Sequence, residues 1–351
     1  MISFTKKIAL FFLVGIPIGI LFILPCIFIL PYQTGGFGGN GIPFGPYDTL
    51  FHPVDYYYVE NIDNFDSLRQ AEIITIGDSF SQGGVMGYQN YLGHCINHKV
   101  SNFRIKNARP ENTAYTLLQK RMIPECKVLI IESVERAFVQ SLSNEFIIFD
   151  EITQKPIITK HQTNLKNFFN EEDTEIKQYL FDFKLLASYY KNKVSLSKNY
   201  IELSLSDSMF TSHKYSKALF CVNDKIHWDG DICFTSYTTE NYQRAKDNLN
   251  ILTTLAKEQG ITLIYLIPAD KYDLYYDYIV DNPYPRNPSF DYFSSYDTTV
   301  FVNTKALLLP YIQNGVKDVY RVNDTHWSIV AAEIVGEHLG KIIKDKQALN
   351  Q

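Results

Sequence analysis

Two short stretches, far apart in the chain, hold residue types that acyl-transfer chemistry needs. The first is Ile73-Ile74-Thr75-Ile76-Gly77-Asp78-Ser79-Phe80, and the second is Asn323-Asp324-Thr325-His326-Trp327-Ser328. A serine hydroxyl becomes an effective nucleophile when a base takes its proton, and the base works best when a carboxylate fixes its tautomer. Ser79, His326 and Asp324 are of those three types. A third stretch, Lys225-Ile226-His227-Trp228-Asp229, echoes the second. It lies between Cys221 and Cys233, where a disulfide-closed loop explains it without a catalytic role for His227.

The elements around these residues must bring Ser79 and His326 to one place. Ile73 to Ile76 is apolar without alternation, as a strand buried on both faces of a parallel sheet would be. Gly77 then allows a sharp turn at the strand's carboxyl end, where open α/β sheets place their ligand crevices. Asn90–His98 and Thr113–Met122 read as helices, and Phe103–Asn107 and Val128–Glu132 as strands. Asn241–Gln259 carries Leu249, Leu252, Leu255 and Ala256 on one face of a helix that stops at Gly260. Ile261–Ile267 is a strand, followed by a loop over Pro268–Lys271. Val319–Val322 is expected as a short last strand, and Ile329–Ile343 as the last helix, with Val330, Ile334, Val335, Leu339, Ile342 and Ile343 inward. Strands separated by helices in this way predict a parallel α/β sheet, and both chemical stretches then open at its carboxyl end. Residues about 143–239 break the rhythm, with one helix expected near Ile176–Tyr190. They read as an insertion on the carboxyl side of the sheet, a substrate-facing lid.

Composition narrows the function. The 351 residues carry a net charge of −5, without the basic stripe that nucleic-acid binding would require. No Cys-x-x-Cys pair or cluster of histidines points to a metal, and the glycine run in Thr34–Pro46 lacks the Gly-Lys-Ser/Thr of a phosphate loop. No cofactor is expected. Aromatic residues make up 15% of the chain, mostly tyrosine, which suits sugar stacking or core filling alike.

Lys6 and Lys7 precede Ile8–Leu30, 23 positions without a charge. As a helix that run reaches about 35 Å, enough to cross a bilayer core. No Lys or Arg follows before Arg69, so the positive-inside rule places the amino terminus in the cytoplasm and the rest outside. The run is longer than a cleaved signal's apolar core and lacks a small-x-small cleavage site. Residues 1–31 are therefore expected to be a single-pass anchor in a bacterial cytoplasmic membrane. Residues 32–70 would form an extracytoplasmic tether and lead-in, and 71–345 the catalytic domain. The sequon Asn323-Asp324-Thr325 would put a glycan on the chemical loop of a eukaryotic secreted protein, which favours a bacterial setting. Cys95, Cys126, Cys221 and Cys233 lie beyond the anchor and allow three disulfide connectivities in an oxidising compartment, with Cys221–Cys233 closing a short loop.

The Gly77-Asp78-Ser79-Phe80 turn near the start of the domain and Asp324-Thr325-His326-Trp327-Ser328 near its end resemble the SGNH (GDSL) hydrolase superfamily. The Asp-Thr-His-Trp wording is similar to the branch containing the alginate O-acetyltransferase proteins, which modify bacterial exopolysaccharides. Glu132 to Arg136, and Pro268 to Lys271 with Tyr275 or Tyr276 beyond, agree with that branch. The resemblance covers roughly Ala71–Arg136 and Asn241–Lys341. Here the Asp-x-His block follows the serine block, the ordinary order of the superfamily, whereas in the alginate proteins it precedes it.

The resemblance implies a flavodoxin-like parallel sheet with flanking helices, Ser79 as nucleophile, His326 as general base and Asp324 orienting it. It implies an oxyanion site at the backbone N–H of Ser79 and a neighbouring turn amide. Gly83 and Asn107 are the nearest candidates for the family's oxyanion glycine and asparagine, and Trp327 is a further substrate-side candidate. Arg136 either pairs with Glu132 or holds a substrate carboxylate. The function implied is O-acyl, most simply O-acetyl, transfer to a cell-surface glycan, with a multispanning membrane acyltransferase as acyl donor. A carbohydrate esterase of the same fold, or a non-catalytic glycan-binding or assembly scaffold, are the alternatives.

Overall fold

Val128–Glu132 and Thr262–Ile267 become strands because they are apolar on both faces and both faces find cover. The computed structural model describes residues 58–62, 65–82, 87–103, 109–148, 200–206, 209–210, 217–223, 232–233, 237–297, 300–321 and 325–348. The expected anchor, the Gly-rich tether, the helix near Ile176–Tyr190 and His227 lie outside these. In chain order the elements are β1 (Val59–Ile62), α1 (Phe65–Leu68), β2 (Ile73–Ile76), a 3-10 turn (Ser79–Gln82), α2 (Tyr88–Ile96), β3 (Val100–Phe103), α3 (Pro110–Gln119), β4 (Val128–Glu132) and α4 (Glu135–Ser143). There follow β5 (Tyr200–Ser204), β6 (Lys217–Asn223), β7 (Ile232–Cys233), α5 (Thr239–Glu258), β8 (Thr262–Ile267), α6 (Lys271–Tyr275), a 3-10 turn (Tyr276–Tyr278), α7 (Ser289–Tyr292), β9 (Phe301–Asn303), α8 (Thr304–Gln313) and α9 (Ile329–Ala348). Apart from Tyr200, the described residues belong to one compact unit, Thr49–Ile158 with Ile201–Gln351. The other unit, Met1–Asp48 with Thr159–Tyr200, otherwise lies outside the described residues.

Six strands form one parallel sheet in the order β1-β3-β2-β4-β8-β9. Setting the edge strand β1 aside, the other five follow the 2-1-3-4-5 order of flavodoxin-like sheets. The order reverses between β2 and β4, so the crevice at the carboxyl ends of those two strands is the switch point where such sheets bind ligands. Alternate side chains of each strand feed two cores. Ile73, Val128, Ile130, Ile264 and Leu266 face α2, α8 and α9, while Ile74, Ile76, Leu129, Ile131 and Leu263 face α3, α4 and α5. The fold is three layers, α/β/α.

Helix boundaries follow local chemistry. Thr238 accepts from the Asn241 N–H while Asn241 Oδ1 accepts from the Thr238 N–H, so α5 begins two residues earlier than its apolar stripe suggests. It ends at Gly260 as expected: φ is +71°, and the Ile261 N–H reaches back to the Ala256 carbonyl. In α9, Val335, Leu339, Ile342 and Ile343 are buried, and Val330 and Ile334 are partly so.

Three expectations change. Val319–Val322 is not the last strand: Tyr320 makes only an isolated antiparallel bridge with Trp327. The sheet instead ends at β9, whose three residues are too few to show a period. The lead-in before Ala71 supplies the edge strand β1. The insertion holds a second sheet, β5-β6-β7, whose Phe220 packs edge-on against Tyr272, with Ser206 N–H donating to the Tyr278 carbonyl at 2.7 Å. This part is tied into the main core on the carboxyl side, beyond β8. Cys95 and Cys126 are free thiols. Cys233 sits opposite Asn223 on the parallel neighbour strand, two residues past Cys221. The side chains of Cys221 and Cys233, and so the expected bridge between them, lie outside what the structure describes. Among the described residues no helix is long and apolar enough to cross a membrane.

The helices that follow the two chemical stretches lie against each other. A Cβ on Gly336 of α9 would sit 2.5 Å from the Tyr88 carbonyl oxygen and 2.8 Å from the Leu92 nitrogen of α2, and one on Gly340 would sit 2.5 Å from Cys95 Sγ. At Gly336 the obstacle is backbone and cannot swing aside. Gly336→Ala should therefore destabilise the protein by about 1–3 kcal/mol in urea unfolding, as overpacking does. Stability within about 0.5 kcal/mol of the parent would show that the two helices can separate freely.

Candidate functional site

Ser79 opens the 3-10 turn that follows β2. Gly77 sits where the strand ends, and its role differs from the expected one. It is not among the described glycines with positive φ. It is needed because a Cβ there would collide with Ser81 Oγ and with Glu132 Oε2 on the neighbouring strand. The turn can thus lie directly on the end of β4.

His326 reaches the same crevice from the other side. The Tyr320–Trp327 bridge pinches its loop, with Ser328 N–H donating to the Val319 carbonyl at 3.0 Å. Ser328 then starts α9, its Oγ accepting from the Val330 N–H at 3.0 Å. An aromatic seam joins loop and turn: Phe80 lies 4.8 Å from the His326 ring and meets Trp327 edge-on at 5.0 Å, and Tyr88 meets Trp327 edge-on at 6.0 Å. The structure brings His326 Nε2 to 2.8 Å from Ser79 Oγ. The tautomer in which Ser79 donates leaves the proton on Nδ1, whose neighbour Thr325 Oγ1 is 3.5 Å away. Asp324 lies outside the described residues.

The amides of the turn are unequally available. Asp78 N–H donates to Glu132 Oε2 at 2.9 Å, Phe80 N–H to Asp78 Oδ1 at 3.0 Å, and Ser81 N–H to the Asp78 carbonyl at 3.2 Å. The Ser79 N–H has no acceptor among the described residues. It is the donor left to meet negative charge forming beside Ser79 Oγ, so the neighbouring turn amides are not available for that purpose.

The rest of the turn is held from three elements. The Ser81 carbonyl accepts from Gln89 Nε2 of α2 and Asn102 Nδ2 of β3, each at 2.9 Å. Ser81 Oγ donates to Glu132 Oε2 of β4 at 2.8 Å and lies 3.1 Å from the Tyr88 hydroxyl. Asp78 Oδ2 accepts from Val134 N–H at 3.0 Å, just past β4. Burial, then the neighbouring Asp78, pushes the Glu132 carboxyl well above the ordinary carboxylate range, helped by a hydrogen bond to Asp78 that only the protonated form can donate. Burial, then Glu132, raises the Tyr88 phenol likewise.

The other expected site residues have different surroundings. Trp327 is 2% exposed and forms part of the seam beneath the site. Arg136 is buried and pairs with Asp270 at the exits of β4 and β8. Gly83 and Asn107 lie outside the described residues. Sequence reasoning missed Asn102 and gave Glu132 no part in the turn. The available signal was Glu132 itself, a carboxyl closing an otherwise apolar run. The described residues contain no cluster able to hold a metal ion. Compared with protein-family models and with curated proteins, the chain matches none.

The raised Glu132 carboxyl makes stability depend on pH. In the unfolded chain a glutamate titrates near about 4.3, so from there up to the raised value the folded state holds more protons and stability falls as pH rises. Glu132→Gln removes that contribution. Its stability relative to the parent should therefore climb between about pH 4 and pH 8 in urea unfolding, and parallel curves would mean that Glu132 ionises normally in the fold.

Proposed function

We propose that this protein is a serine acyl-transfer enzyme of the SGNH type, working outside the cytoplasm and passing an acyl group, most simply acetyl, to a cell-surface glycan. The observation that carries the reading is the 2.8 Å contact of Ser79 Oγ with His326 Nε2 at the switch point of a flavodoxin-like sheet. The resemblance of the two motifs to the alginate O-acetyltransferase branch supplies the substrate class, and the charge-free run Ile8–Leu30 supplies the membrane setting. A multispanning membrane acyltransferase is the proposed source of the acyl group.

In the proposed reaction, Ser79 Oγ attacks the carbonyl carbon of an acyl ester while His326 Nε2 takes the hydroxyl proton. The carbonyl oxygen becomes the oxyanion and meets the Ser79 N–H. The tetrahedral intermediate collapses, and the imidazolium returns the proton to the departing oxygen, leaving acyl-Ser79. An acceptor hydroxyl then gives its proton to His326, attacks the acyl carbon, and frees Ser79 as the proton returns to it. Asp324, two residues before His326, is proposed to hold the Nδ1 proton and so keep Nε2 free to accept.

Full-length protein in detergent should release nitrophenol from its acetate ester, and Ser79→Ala or His326→Ala should abolish nearly all of that activity. Asp324→Asn should lower kcat by roughly three to four orders of magnitude through the wrong tautomer. An undiminished rate in Ser79→Ala overturns the assignment. Offered an acetyl ester and candidate oligosaccharides, the enzyme should form acetylated sugar faster than free acetate. Acetate alone with every glycan would make it an esterase instead.

A further inference from the structure

The Ser79–His326 pair leaves a fully buried carboxyl beside it without a chemical task. Glu132 ends β4 directly against the turn, with room made by the missing side chain of Gly77. A single oxygen, Oε2, accepts from the Asp78 N–H on one side of Ser79 and from the Ser81 hydroxyl on the other. The nucleophile is thus bracketed by two donors that converge on one atom of a different strand. We propose that Glu132 is a positioning residue for Ser79, holding both ends of the nucleophile turn as a hydrogen-bonding group rather than as a charge. The inference rests on Ser79 being the nucleophile.

Two observations bear on the state of that group. An ionised Glu132 would leave Oε1 buried with no hydrogen-bond donor among the described residues, a costly arrangement for a charge. The neutral acid has a proton to give, and the Asp78 carboxyl beside it can accept it. Among the described residues, the titratable groups found to interact with Glu132 include three acids: Asp78 of the β2 turn, Tyr88 of α2 and Tyr265 of β8. Behind Tyr265 stands Glu111 of α3, which accepts from its hydroxyl at 2.6 Å. In such company a second negative charge would be repelled, and a neutral carboxyl can serve as both acceptor and donor.

The bracket fixes more than the serine hydroxyl. With the Asp78 and Ser81 ends held, the Ser79 N–H stays turned away from the turn's own acceptors and open to an oxyanion. Loss of Glu132 should therefore act on the transition state more than on substrate binding, and should appear in kcat rather than KM.

The test uses the full chain in detergent and two readouts: ester hydrolysis, and the rate at which a fluorophosphonate probe labels Ser79. Glu132→Ala should lower both kcat and the labelling rate by about 100-fold, the cost of misplacing a reacting group by about 1 Å, with KM changed less than about threefold. Glu132→Gln keeps the accepting oxygen and supplies an N–H in place of the O–H, so it should lose less than about tenfold. Labelling of Glu132→Ala at the parent rate overturns the inference. So does Glu132→Gln as impaired as Glu132→Ala, since that would make the charge the active property. Should Glu132→Ala fail to fold, Ser81→Ala removes one arm of the bracket alone and should lower both rates about fivefold, one ordinary hydrogen bond's worth; parent rates there are equally fatal. Absence of labelling in the unmutated chain overturns the Ser79 reading itself, a result distinct from every variant-specific one.

Discussion

The site depends on how closely α9 can approach α2. The Ser79 turn precedes α2 in the chain and the His326 loop precedes α9, so the line of contact between the two helices bears on where Ser79 and His326 can meet. Gly336 allows that contact by leaving the Tyr88 carbonyl and the Leu92 nitrogen unobstructed, and Gly340 does the same over Cys95. Nearer the site, Phe80, Tyr88 and Trp327 continue the contact as packed rings. Two segments some 250 residues apart in the chain are thereby fixed to hydrogen-bonding distance by van der Waals surfaces. No covalent link between them is required.

The two halves of the pair are held differently. The serine side is tied by hydrogen bonds to β3, β4 and α2, and a single residue, Ser81, gathers most of them through its carbonyl and hydroxyl. The described contacts of the histidine side include ring packing against Phe80, a pinched loop and a hydroxyl 3.5 Å from Nδ1. Hydrogen bonds are directional and ring contacts less so. The serine turn is therefore oriented by directional bonds, and the described contacts of the imidazole add ring packing to its hydrogen bond with Ser79 Oγ.

Much of this arrangement is legible in the sequence, for physical reasons that also say where legibility stops. β2, β4 and β8 show as apolar runs because both of their faces are covered, and α5 and α9 show as stripes because only one of theirs is. The pairing of Ser79 with His326 is legible in residue type and in Ser79's place after β2, although the segment before His326 is held by an isolated bridge and not by the sheet. β1 escapes notice because an edge strand with Glu60 and Asn61 exposed carries little apolar signal, and β9 because three residues make no pattern. Glu132 beside Arg136 suggests an ion pair on one helical face. The fold separates them instead, sending Arg136 to Asp270 and Glu132 to the turn, because the strand ends between them. Asn102 is polar in a strand of only four residues, and its task depends on the loop that crosses it, which no local pattern records.

The edge strand also gives the domain a polarity. β1 runs parallel to every other strand of the sheet, so the chain enters the sheet at Val59 from the end opposite the one that bears Ser79. Val59 therefore stands at the base of the sheet, and Ser79 at the opposite end. The two ends of the sheet are thus unlike: one receives the chain at Val59, and the other carries the paired Ser79 and His326.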